Sequence, residues 1–146
     1  MDPREFSIRI DDERIVAAIR VAEGRGRGEI RVHVTREAVG DAQTAAVEVF
    51  ERLRMVATAE RNGVLIYVAP RSHTYAVIAD RGVHEQCPEG FWREVADAMR
   101  DDFRAGRFTE GIVRGVERVG EVLGRAFPRE ADRDDTNELP DAVSRD

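Results

Sequence analysis

Residues 80–93 read DRGVHEQCPEGFWR, which sets three acids, a histidine and the chain's single cysteine close together. Cys87 and Arg93 stand six positions apart with Gly90 between them, the Cys-x-x-Gly-x-x-Arg spacing of a phosphate-binding loop. In that chemistry a thiolate of lowered pKa attacks phosphorus while backbone N–H groups and an arginine fork hold the oxyanions. Three features of the stretch oppose it. Six residues separate Cys87 from the preceding strand-like run, Glu89 would set a carboxylate among donors meant for an anion, and Pro88 removes one of those donors. The ordinary alternative is a helix start, with Pro88 in its first turn and Glu89 and Glu94 favoured by the helix dipole.

The same stretch carries a second candidate. Asp80, His84 and Glu85 lie at the end of a strand-like segment, with Gly82 in the turn between them. Carboxylate oxygens in such a turn suit a hard divalent cation, calcium or magnesium, whereas use of His84 shifts the preference towards zinc or manganese. Arg81 offers the competing reading, an ion pair with Asp80. Asp41 and Glu60, at the ends of a helix and a loop, are further oxygen donors for the same edge. Metal-assisted hydrolysis of a phosphomonoester would need this site first.

The elements that must position these residues are legible from periodicity. Asp11 is placed to cap a helix whose inner stripe is Ile15, Ile19 and Ala22, with Ile10 and Ile15 spanning the cap as a staple; GRGRG ends it. Residues 5–10 (EFSIRI) alternate like a short strand or extended arm. Residues 29–35 (EIRVHVT) alternate strictly, which predicts a strand with Ile30, Val32 and Val34 inside and Glu29, Arg31, His33 and Thr35 facing water. On that reading His33 is a solvated side chain. Asp41 opens a second helix with Ala45, Ala46, Val49, Phe50 and Leu53 inward. Residues 64–69 are apolar on both faces and belong mid-sheet. PRSH joins them to residues 75–80 as an antiparallel hairpin, after a parallel β-α-β crossover. Trp92, Val95, Ala96, Met99 and Phe103 predict a third helix. Thr109 is placed to cap a fourth, with Ile112, Val116, Val119 and Leu123 inward and Pro128 as its stop.

That last helix carries Gly111, Gly115, Gly120 and Gly124. Each costs about 1 kcal/mol relative to alanine in a helix interior, so close packing against a neighbour is expected. The neighbour lies in the same chain or in a second copy, making a homodimer through the glycine-lined helix one expectation. From residue 129 onward the text is acidic and poor in apolar residues, which reads as a disordered tail.

Composition narrows the classes. The 146 residues suit one domain, here residues 1–128, with 129–146 as the tail. A net charge of −6 excludes general affinity for nucleic acid or anionic membrane. Every basic residue is arginine, a choice that favours multidentate ion pairs. No apolar run approaches bilayer length, the N-terminus lacks a secretory pattern, and one cysteine forms no internal disulfide. A cytoplasmic protein is the simplest expectation.

The order of elements, with AAIRVAEGRGRGEIRVHV (17–34), RNGVLIYVAP (61–70), YAVIADRGVHE (75–85) and FRAGRFTEGIVRGVERVG (103–120), resembles the TPM domain family over about residues 12–127. The resemblance implies a three-layer α/β/α sandwich around a small mixed sheet, followed by two C-terminal helices. It also implies a divalent-metal site at one edge and an acid phosphatase activity. Anchored members serve in photosystem repair and receptor assembly, roles of a binding module. The family's Gly-x-Gly-x-Glu segment falls on residues 80–84. There the first glycine is Asp80, the second is Gly82, and His84 with Glu85 beside it replaces the glutamate. The resulting expectation is an interaction or accessory module for an unidentified protein partner, with an acid phosphatase-like hydrolase as the alternative.

Overall fold

The computed structural model describes residues 10–55, 61–72, 74–87, 90–128 and 143–145. Helix α1 (Asp12–Gly24) leads into strand β1 (Glu29–Val34), helix α2 (Ala42–Arg52) and strand β2 (Gly63–Ala69). A 3₁₀ turn over Pro70–Ser72 joins β2 to β3 (Thr74–Ala79). Helices α3 (Arg81–Gln86), α4 (Phe91–Arg104) and α5 (Phe108–Ala126) follow, and β4 (Ser144–Arg145) closes the order. The EFSIRI arm, Glu60, and Pro88 with Glu89 lie outside the described residues.

The four strands run in the order β3-β2-β1-β4. β1 pairs in parallel with β2, Glu29 opposite Gly63 and Val34 opposite Val68, and β2 pairs antiparallel with β3. β2 is buried along its whole length, as its two apolar faces require. Val64, Ile66 and Val68 join Ile30, Val32 and Val34 beneath α1, α4 and α5, in a core that includes Ile15, Met99, Ile112 and Val116. On the other face Leu65, Tyr67, Ala76 and Ile78 meet Ala46, Val49 and Phe50 of α2. The layers are therefore one helix, a mixed sheet, and a group of helices, which is the α/β/α sandwich.

The polar face of β1 is largely buried, with Arg31 alone half-buried. His33 is 1 % exposed, its ring stacks on Tyr67 at 5.7 Å, and its Nδ1 lies 2.9 Å from Ser144 Oγ. Glu29 and Thr35 are buried as well. At the His33 end β4 covers the strand, pairing Ser144 and Arg145 with His33 and Val34, and an Arg145–Asp12 ion pair of 2.7 Å ties this short strand to α1. The acidic tail lies otherwise outside the described residues.

The glycine face of α5 is filled from within the chain. A Cβ at Gly120 would stand 2.5 Å from Ala22 Cβ of α1, and one at Gly115 would stand 2.7 Å from Met99 Sδ of α4. A dimer through α5 would therefore have to use its other face. Thr109 lies inside the helix, not at its cap, because α5 starts at Phe108; its hydroxyl instead accepts the Asp11 N–H at 3.0 Å.

Candidate functional site

The stretch after β3 is the short helix α3, where the sequence reading expects only a turn. Asp80 caps it, its Oδ1 accepting the Arg81 N–H at 2.8 Å, and Val83 plugs into the core. This placement decides what Asp80 can do. Its carboxylate is 5 % exposed and is gripped on both oxygens by one guanidinium. Arg61 Nε donates to Oδ2 at 2.7 Å and Arg61 Nη2 to Oδ1 at 2.9 Å. Such a bidentate fork is the strong form of the carboxylate–arginine pair, and hydrogen bonding to Asp80 raises the Arg61 pKa above its ordinary value.

Arg61 adopts φ +54°, a left-handed conformation that side chains other than glycine rarely take. Its carbonyl also accepts the Gly82 N–H at 2.9 Å. The residue is thus held at three points, and the clasp joins the approach to β2 with the start of α3. The competing partner named from sequence, Arg81, supplies its backbone N–H here.

His84 and Glu85 lie on the exposed side of α3, with the His84 ring edge-on to Trp92 at 6.0 Å. Asp41 sits elsewhere, capping α2 through bonds from Gln43 N–H and the Thr44 hydroxyl. Among the described residues no three His, Cys, Asp or Glu side chains converge to hold a metal ion. The donor set Asp80, His84 and Glu85 therefore does not fit a divalent cation as it stands, because a cation on Asp80 would have to displace Arg61.

Cys87 ends α3 in extended conformation and packs, half-buried, against the core. Burial pushes its thiol pKa up, and Arg125 opposes the shift only in part. A phosphatase nucleophile needs the opposite displacement. Gly90, at φ +89°, is the residue before α4, and Arg93 is exposed on the first turn of that helix.

Beyond this stretch, sequence reasoning missed two further features. One is the Asp102 node: the carboxylate is 3 % exposed and accepts from Arg107 Nε at 3.1 Å and Arg114 Nε at 2.8 Å. Its pKa lies below the usual range, chiefly through the Arg114 bond. The five- and twelve-residue spacings on an arginine-rich text gave no way to choose these partners.

The other is an open groove of about 580 Å³ along the outer edge of β3, between the starts of α2 and α4. Tyr75, Val77, Trp92 and Ala96 line its apolar side, and Asp41 and Gln43 its polar side. Tyr75 is fixed by its hydroxyl, which donates to the Ala96 carbonyl at 2.6 Å. The signal for this groove was present in sequence as a β-strand free of charge and proline, followed by a helix with tryptophan in its first turn.

Comparison with known proteins settles the family. The model of the TPM domain matches residues 9–122. The chain belongs to the TPM domain family. This TPM domain is similar to the BA42 protein of the psychrophilic bacterium Bizionia argentinensis, with 37 % identity, a TM-score of 0.84, and 94 % of this chain and 95 % of that one covered. It shares its fold with the N-terminal domain of a P. gingivalis protein, at 24 % identity and TM-score 0.59 over 81 % of each chain. It shares it also with the N-terminal domain of the cg2496 protein of Corynebacterium glutamicum, at 16 % identity and TM-score 0.59 over 75 % of this chain and 68 % of that one. None of the curated proteins compared matches the TPM domain described here. No described helix is long and apolar enough to cross a membrane.

Proposed function

We propose that this TPM domain is a non-catalytic interaction module that works by presenting a surface to a protein partner. The observation that carries the reading is the commitment of Asp80. The one carboxylate of the candidate site that is buried at a strand end is closed by the bidentate Arg61 fork, so it holds the scaffold together. The raised thiol pKa of Cys87 points the same way. Support on the binding side is the outer edge of β3, which has no strand partner among the described residues, and the groove beside it.

The hydrolase alternative requires a cation to replace Arg61 on Asp80 and to draw in His84 and Glu85 from the exposed face of α3. The deciding assay is p-nitrophenyl phosphate hydrolysis at acid and neutral pH with calcium, magnesium, manganese or zinc in turn. The interaction reading expects wild type and Asp80→Asn to match the metal-only background. Turnover by the wild type that Asp80→Asn abolishes would replace this reading with the hydrolase.

A further inference from the structure

The two edges of the sheet are treated differently. At the β1 edge the Ile30 N–H is donated to the buried Glu23 carboxylate at 2.8 Å, and His33 and Val34 are covered by β4. Side-chain caps and short cover strands are the usual protections against unwanted strand pairing. Among the described residues the β3 edge has neither. Thr74–Ala79 contains no charge and no proline, and among the described residues its only strand partner is β2.

The register shows which backbone groups are on offer. The Asp80 N–H donates to the Gly63 carbonyl at 2.9 Å, so in the antiparallel ladder Thr74, Ala76 and Ile78 are the residues that exchange bonds with β2. The N–H and C=O groups of Tyr75, Val77 and Ala79 therefore point outward, along the groove. Thr74 Oγ1, in the groove lining, has no hydrogen-bond partner among the described residues. The groove volume of about 580 Å³ falls in the range of binding clefts.

We propose that the β3 edge is a strand-docking site for an extended segment of a partner protein in which apolar and basic residues alternate. A strand added to β3 turns successive side chains to opposite faces. One set would lie against Trp92 and Ala96 on α4. The other would point to α2, where the exposed Asp41 carboxylate, ionised and kept so by its Thr44 and Gln43 bonds, has lone pairs left for a cation. Arg93, exposed on the α4 rim, disfavours a basic residue on that side and so sets which face of the segment carries the charge. This inference rests on the interaction reading and names the surface that serves it.

The test is an NMR titration of the full-length ¹⁵N-labelled chain with a capped peptide of alternating valine and arginine, about eight residues long to exceed the usual strand of ~5–6. Saturable shifts should map to residues 74–79, 40–43 and 92–96. Val77→Pro removes an outward N–H without touching the β2 ladder and should weaken binding at least about tenfold, that is by ~1.4 kcal/mol. Asp41→Arg should do the same and should transfer preference to an alternating valine–glutamate peptide, a readout that survives if the proline variant misfolds. No saturable shift at millimolar peptide, shifts mapping elsewhere, or equal affinity of the wild type for both peptides would overturn the proposal. So would a doubled sedimentation mass with the same 74–79 amides buried between two copies. A negative titration together with no phosphomonoester turnover removes this groove and leaves the interaction reading standing; metal-dependent turnover removes that reading whatever the peptide does.

Discussion

Gly120→Ala separates two opposing effects whose sizes can be worked out. Alanine in place of glycine in a helix interior is worth about 1 kcal/mol of stability. At Gly120, however, the new Cβ would lie 2.5 Å from Ala22 Cβ and 3.0 Å from Ala22 Cα. Carbon atoms prefer about 3.5–4.0 Å, so α1 and α5 must part by the order of 1 Å. The obstacle is an alanine and its backbone, and no rotamer change relieves it. Overpacking of this kind costs roughly 1–3 kcal/mol, with the spread of the α1–α5 interface putting this site towards the upper part. The net effect is a loss of about 1–2 kcal/mol, a fall in Tm of about 2–8 °C for a chain of this length. Gly124→Ala is the control. There the closest atom is Arg25 Cβ at 3.2 Å, at the exposed end of α1, and the propensity gain should cancel the smaller strain to within ~1 kcal/mol. The double variant Ala22→Gly with Gly120→Ala deletes the 2.5 Å contact and keeps the 3.0 Å one, so it should lose less than the sum of its two single variants, with a coupling of about 1 kcal/mol or more. Urea and thermal unfolding followed by circular dichroism read the wild type, these variants and the Ala22→Gly single that closes the cycle. A Gly120→Ala protein that is stabilised to the same degree as Gly124→Ala would refute the packing assignment and reopen the glycine face for a second copy.

Asp102 should make stability depend on pH. Its folded pKa is depressed, so its contribution is complete above the unfolded value of about 4 and is lost as pH falls through the folded value. The stability gap between wild type and Asp102→Asn should be wide at neutral pH and narrow in acid; a gap independent of pH contradicts the assignment. Arg61→Ala and Arg61→Gly should both destabilise by stripping the buried Asp80 of its fork, with glycine the milder because it accepts φ +54° freely; equal unfolding midpoints for the two would mean the backbone conformation carries no strain. The Cys87 thiol, its pKa raised by burial, should react with iodoacetamide at neutral pH more slowly than free cysteine and recover ordinary reactivity in urea; faster reaction in the native state would revive the nucleophile reading.

Much of the architecture could be read from periodicity, because the strand pattern of residues 64–69 and the stripes of α1, α2, α4 and α5 each report burial directly. What could not be read has a common cause. Strict alternation in β1 says that its two faces differ; it does not say that the polar face is wet. His33 is buried because Tyr67 stacks on it and because residues 111 positions away supply β4. The Arg61–Asp80 clasp spans 19 positions, and in a chain with 23 arginines sequence proximity favours Arg81. Short α3 escaped detection since six residues hold less than two helical turns. The glycines of α5 announced a close neighbour without naming it, and the identity of Ala22 and Met99 came only from the packing of three helices on one face of the sheet.

Whether Asp80 belongs to arginine or to a metal is read from the Arg61 Nε–H resonance during titration of chelator-treated protein with calcium, magnesium, manganese and zinc, using Asp80→Asn to assign it. If Asp80 is a structural anchor of a binding module, that resonance and the amides of residues 80–85 stay fixed at millimolar metal. A saturable shift of the Arg61 Nε–H together with those amides would show Asp80 passing from arginine to metal, and would contradict the account.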